Sequence, residues 1–176
     1  MGKPILLAGM LLMLPLAACG SGDQQTPPGP AAAPTPAPAA AQPARPRLPQ
    51  HPPKLEGEAP KPDLSLVELP AGITPEMVER GRQIFMGKAA NGICFTCHGM
   101  DAKGSSLAPD QTDMEWLHGD GSFESIYRII ETGVPQDQLV AAPAPMLPWG
   151  GAPEPFSESD HKAIAAYIYA ISRSGE

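Results

Sequence analysis

Cys94-Phe95-Thr96-Cys97-His98 puts two thiols and an imidazole within five consecutive residues, and any fold of this chain has to bring all of them to one site. Cys-x-x-Cys-His is the attachment sequence of a c-type haem. Each thiol adds to one vinyl group of the porphyrin, and the two intervening residues match the separation of the vinyls. The next residue then falls under the ring, where its imidazole can bind the iron from the proximal side. The expected cofactor is one covalent haem c on Cys94 and Cys97, with His98 as an iron ligand. A bare Cys-x-x-Cys also serves as a thioredoxin-like redox pair or as half of a zinc site. Zinc calls for a second ligand pair, and the remaining cysteine, Cys19, lies far upstream. A redox pair calls for a strand-then-helix setting, whereas Ala89-Ala90-Asn91-Gly92 precedes the motif and Gly99 follows it.

The N-terminus supplies context. Lys3 is followed by an apolar run from Ile5 to Ala18, too short to span a bilayer and of the length of a signal-peptide core. Leu16-Ala17-Ala18-Cys19-Gly20 resembles the lipobox of bacterial lipoproteins, in which cleavage precedes a cysteine that receives a diacylglyceryl group. Residues 1–18 are therefore expected to be a lipoprotein signal peptide and Cys19 the lipidated first residue of the mature chain; the alternative is an ordinary signal peptide with a cysteine near its end. Export agrees with haem attachment, since c-type maturation takes place outside the cytoplasm. The expected location is the surface of a bacterial membrane, facing the periplasm or the cell exterior.

From Gly20 to Pro62 the composition changes to Pro, Ala and Gln, as in Pro27-Pro28-Gly29-Pro30-Ala31-Ala32-Ala33-Pro34-Thr35-Pro36. Few large apolar side chains are present to offset ordering entropy, and each proline removes a backbone donor. Residues 19–62 are expected to form a disordered, semi-extended tether with a reach of at most about 120 Å. It serves as a swinging arm that concentrates the domain near membrane partners, or as a passive spacer.

Residues 63–176 remain as one folded domain. It holds seven Lys and Arg against sixteen Asp and Glu, a net charge of −9. Haem propionates would add to that charge, so no nucleic-acid partner is expected; the acidic surface serves to dock a partner with a positive surface, or is only a solubility feature. Three helices are predicted. Thr74-Pro75-Glu76 opens the first, with Val78, Gly81, Ile84 and Phe85 at helical spacing. The second runs from Ser122 to Thr132 and stops at Gly133, with Phe123, Ile126, Tyr127 and Ile130 on one face. Ser157, Glu158 and Asp160 open the third, whose stripe is Ile164, Tyr167, Ile168 and Ile171. No segment alternates as a strand.

A second axial iron ligand has to come from elsewhere in the chain. Met146 sits in Ala144-Pro145-Met146-Leu147-Pro148-Trp149, well separated from His98 and framed by prolines that fix backbone direction. Met100 is two residues from His98, and Met77 and Met86 lie on or beside the first helix, where methionine usually fills core. Met146 is the expected ligand, with Met114 and His118 as alternatives.

The order helix, Cys-x-x-Cys-His, loop, helix, methionine loop, closing helix resembles class I c-type cytochromes, over about residues 73–172. The likeness is greatest to the single-haem domains that serve haem-copper oxidases and quinoprotein dehydrogenases. The stretches that carry it are residues 107–113 with Trp116-Leu117-His118-Gly119, residues 126–134, and Ala165-Ala166-Tyr167-Ile168-Tyr169-Ala170-Ile171-Ser172. The resemblance implies an all-α fold of about three main helices around the haem, with Gly81 and Phe85 crossing the last helix opposite Tyr167. It implies that the carbonyl of Pro109 accepts a hydrogen bond from His98, and that Trp149 packs beside the methionine loop near the propionates, the alternative for Trp149 being a merely buried indole. It implies a membrane-tethered electron carrier, not an enzyme, exchanging single electrons with an oxidase, a dehydrogenase or another cytochrome. A haem enzyme or gas sensor with an open distal site, and a fixed subunit of a respiratory or photosynthetic complex, are the other functions such a chain can have. Met146-Leu147-Pro148-Trp149 departs from the Met-Pro-x-Trp order of the relatives, and the approach through residues 136–144 is long.

Overall fold

Thr74 has extended backbone angles, and its hydroxyl accepts from the Met77 N–H at 3.4 Å, which caps the first helix, α1 (Pro75–Phe85). Pro75 occupies the first turn, where its missing N–H costs nothing, and Val78, Gly81, Ile84 and Phe85 form the buried face. A single turn, α2 (Phe95–His98), carries the second half of the Cys-x-x-Cys-His motif. Ser122 caps α3 (Phe123–Thr132) by accepting from the Ser125 N–H at 3.2 Å, and Gly133 ends it. Ser157 does the same for α4 (Glu158–Ser174), its hydroxyl accepting from the Asp160 N–H at 3.1 Å. The computed structural model describes residues 47–174. The expected signal peptide, Cys19 and the tether as far as residue 46 lie outside the described residues. Among these there are no strands, only an isolated antiparallel bridge between Val134 and Met146. The fold is all-α.

The core is built on the crossing of α1 and α4. A Cβ at Gly81 would collide with the Ala163 carbonyl and lie 2.7 Å from the Cβ of Tyr167, so the helices approach this closely because Gly81 has no side chain. Phe85 and Tyr167 pack beside the crossing with ring centroids 5.6 Å apart. α4 is buried around most of its circumference, since α1 covers one side, α3 another, and Ile164 and Ile168 face a cavity.

The structure differs from expectation in residues 47–62, read from composition as tether. They lie along the domain as a strap. The Lys54 carbonyl accepts from Met100 N at 2.6 Å, the His51 carbonyl from Ser106 N at 2.7 Å, and the Pro60 carbonyl from the Tyr167 hydroxyl at 3.0 Å. Arg82, almost fully buried, bonds Glu79 within α1 and reaches the strap at Glu58 (3.1 Å) and the Ala59 carbonyl (3.3 Å). Its guanidinium pushes the Glu79 carboxyl down to about 2. Prolines preclude a helix here, but extended backbone leaves carbonyls free to accept bonds from a neighbouring loop, and Leu48 and Ala59 are buried in the process.

A chain lacking residues 47–62 is expected to unfold at lower urea concentration than one beginning at residue 47. The expected loss is about 2–4 kcal/mol, from several hydrogen bonds at about 1 kcal/mol each. An unchanged midpoint would mean that the strap contributes nothing.

Candidate functional site

The Cys-x-x-Cys-His motif is held as a tight turn by its own backbone. His98 N donates to the Cys94 carbonyl at 3.1 Å, and the Thr96 hydroxyl donates to the Ile93 carbonyl at 2.6 Å. From the other side, the Ser105 hydroxyl donates to the Cys97 carbonyl at 2.6 Å and Gly104 N to the His98 carbonyl at 2.9 Å. The loop through residues 99–111 therefore closes directly against the motif.

That closure orients the imidazole. His98 Nδ1 lies 2.9 Å from the Pro109 carbonyl oxygen. A carbonyl can only accept, so the geometry assigns the ring proton to Nδ1 and leaves the Nε2 lone pair free. Burial pushes the His98 pKa down, against the opposing effects of the Pro109 hydrogen bond and the Asp110 charge, so the ring is favoured in the neutral form that a metal requires. Burial also pushes the Cys94 thiol up to about 12. A thiol–disulfide pair works through a lowered thiol pKa, and the environment of Cys94 does the opposite. Both motif cysteines are free, and among the described residues no group of three or more His, Cys, Asp or Glu is placed to hold a metal ion.

A cavity of about 310 Å³ opens beside the motif. Cys94, Cys97, His98 and Pro109 line it on one side, and α1, α3 and α4 supply Phe85, Ile126, Ile130, Ile164 and Ile168. Met146 reaches the same cavity from the long loop after α3. Its backbone is pinned: Val134 N donates to the Met146 carbonyl at 2.8 Å, and Met146 N to the Val134 carbonyl at 3.1 Å. Gly133 makes the pairing possible. Its φ is +69°, and a Cβ there would strike the Met146 carbonyl and stand 2.8 Å from Pro148 N. The glycine that stops α3 is thus also the gap into which the methionine loop fits.

Of the other ligand candidates, His118 lines the cavity, while Met114 is 53% exposed and absent from the lining. Met86 is core, its sulfur accepting from Ala59 N at 3.4 Å.

The two tryptophans stand in different places. Trp149 does not line the cavity. Backbone angles of φ 58° at Trp149 and 63° at Gly150 turn the chain, and the indole packs edge-on against Phe156 (6.0 Å) and His161 (4.9 Å). His161 in turn stacks on Tyr127 at 3.4 Å and bonds the Tyr127 carbonyl at 2.8 Å. Trp116 lines the cavity, and its Nε1–H is buried with no hydrogen-bond partner among the described residues, the one such side-chain atom there. A buried donor without an acceptor is costly, and Nε1 packs against the backbone of Gly121; a ligand that brought an acceptor within its reach would remove that cost. Sequence reasoning missed Trp116 as a site residue, because nothing in a lone tryptophan before a helix cap tells which of two indoles faces inward.

An apolar cavity with two thiols, a neutral imidazole and a thioether at its walls fits a haem. The family model for cytochrome c oxidase, cbb3-type, subunit III, matches residues 76–168, more than half of the chain. The chain belongs to this family. Its helical domain is a class I c-type cytochrome, a domain that binds haem c. Among curated relatives, the cbb3-type cytochrome c oxidase subunit CcoP of Rubrivivax gelatinosus is 36% identical over 98 residues, covering 56% of this chain and 27% of that protein. Subunit FixP of Sinorhizobium medicae (strain WSM419) is 40% identical over 60 residues, covering 33% and 18%. Subunit CcoP of Rhodobacter capsulatus is 33% identical over 95 residues, covering 52% and 28%. The matched stretch thus spans under a third of each relative's length. No solved structure matches the chain.

Trp116→Phe in the haem-loaded protein is expected to lower both the reduction potential and the stability, the latter by about 1–3 kcal/mol, the cost of removing a bond to a charged group. Without the indole donor a propionate keeps more of its negative charge, which favours ferric iron. Trp149→Phe is expected to lower stability with the potential in place. Potentiometric titration of both variants separates them; equal shifts would assign the orphan donor no role.

Proposed function

We propose that this chain is an electron carrier with one haem, held by thioether bonds to Cys94 and Cys97 and ligated by His98 and Met146. The observation that carries this reading is the two-bond pairing of Met146 with Val134, which holds a thioether at the same cavity as a neutral imidazole fixed on Pro109. The haem supplies a single-electron couple, and a histidine–methionine ligand pair suits both oxidation states of its iron while favouring the reduced one. The polypeptide's part is to orient His98 through Pro109, to hold Met146 at the cavity, and to keep water from the apolar walls. With His98 and Met146 both engaged in holding the haem, the chain would pass electrons and leave the chemistry on oxygen or peroxide to a partner.

The proposed partners are redox proteins, and membership of the cbb3-type subunit III family favours a place in a respiratory complex, as a fixed relay or a tethered donor. Anchoring would come from a lipid on Cys19, with the domain outside the cytoplasm. No helix among the described residues is long and apolar enough to cross a membrane. Residues 20–46, between the proposed anchor and the strap, lie outside the described residues.

Met146→Ala is expected to lower the reduction potential, to abolish the near-infrared band of a methionine–ferric-iron bond, and to let the reduced protein bind carbon monoxide. A variant that keeps its band and stays inert to carbon monoxide would transfer the ligand role to another residue, His118 being the other candidate at the cavity. Carbon monoxide binding by the unmodified protein would instead favour a sensor or enzyme.

A further inference from the structure

The hydrogen bond from His98 to Pro109 has a neighbour. The carboxamide nitrogen of Gln111, Nε2, lies 3.3 Å from the same Pro109 oxygen and 3.1 Å from His98 Nδ1. With a metal on Nε2 of the ring, the proton has to reside on Nδ1, so His98 can only donate on this side. Both nitrogens then carry hydrogens, and both have one acceptor within reach. The Pro109 oxygen has two lone pairs and can take both. The 3.1 Å contact between Nε2 and Nδ1 is then the side-by-side approach of two donors aimed at one oxygen. Turning the amide over would set Oε1 3.3 Å from the Pro109 oxygen, acceptor against acceptor, and remove one donor from the carbonyl. The orientation with Nε2 on Pro109 is the one that avoids an oxygen–oxygen contact and gives both nitrogens an acceptor within reach.

Gln111 is also fixed at its backbone. Its N–H donates to the Ala102 carbonyl at 2.8 Å, and the next residue is tied to Asp110 through Thr112 N and Oγ1, both 2.7 Å from Oδ1. The side chain therefore emerges from a turn rather than from a free loop. It is uncharged, so whatever it does to the imidazole it does through hydrogen bonding.

We propose that Gln111 is a positioning residue for the proximal ligand, sharing the Pro109 carbonyl with His98 and so setting how strongly that carbonyl pulls on the Nδ1 proton. A carbonyl that serves two donors is a weaker acceptor for each than one that serves a single donor. Weaker pull leaves the imidazole less imidazolate-like and a poorer electron donor through Nε2, which disfavours ferric iron and raises the potential. The inference rests on the reading that His98 ligates haem iron.

The test is Gln111→Leu in the full-length haem-loaded protein, with Gln111→Ala as a second variant should leucine impair folding. Two quantities are read: the proton resonance of His98 Nδ1–H in the diamagnetic reduced state, and the reduction potential. With the second donor gone, the remaining bond shortens, so the resonance is expected to move downfield and the potential to fall. A leucine acting only as added apolar surface would raise the potential instead, which makes the sign decisive. A resonance that stays in place or moves upfield, or a potential that is unchanged or higher, with the axial-ligand spectrum intact, would overturn the role of Gln111 alone. Absence of a ring-shifted His98 resonance in the unsubstituted protein would overturn the haem-ligand reading, and this inference with it.

Discussion

The close crossing of α1 and α4 at Gly81 is the constraint from which the rest of the domain follows. Because no side chain separates the helices there, Phe85 and Tyr167 can meet beside the contact, and the chain leaving α1 is delivered to the Cys-x-x-Cys-His turn at a fixed height. The same α4 presents Ile164 and Ile168 to the cavity, so one helix is both the back of the core and a wall of the site. Burial of this kind fixes position without directional bonds. It explains how so small a set of helices can hold a cofactor-sized space open.

What helices do for the walls, loops do for the polar chemistry. The proximal loop returns to the motif through Ser105, Gly104 and Pro109, and the strap holds that loop from outside through Lys54 and His51. The distal loop is fastened at Val134 and again where Trp149 packs on Phe156 and His161. Two irregular segments, neither with a periodic sequence, thereby gain the rigidity that orienting a neutral imidazole and a thioether requires. Proline supports this on both sides, since it limits backbone freedom before any contact forms.

The helices were legible because their signals are local. Thr74, Ser122 and Ser157 each accept from an N–H three residues on, as caps should, and Gly133 stops α3 where its apolar period ends. The motif and the pairing of His98 with Pro109 were legible because the chemistry of the cofactor and the family resemblance dictate them. The strap was not: its bonds join residues such as Lys54 and Met100, or Pro60 and Tyr167, and composition carries no trace of such pairings. The place of Trp116 at the cavity was not legible for a related reason. Which indole meets the cavity depends on the left-handed backbone at Trp149 and Gly150, a feature invisible to periodicity. The short turns at Gln136–Gln138 and Pro148–Gly151 escaped notice likewise, since proline-rich sequence reads as loop.

Electron transfer by this domain depends most directly on both cysteines carrying one haem. A pyridine haemochrome spectrum of the purified, haem-loaded protein, quantified per chain, measures both attachment and number. The expected result is one haem per chain with the band position of a porphyrin whose two vinyl groups are both saturated by thioether bonds. No haem, or haem that extracts into acidified organic solvent with its vinyls intact, would contradict it.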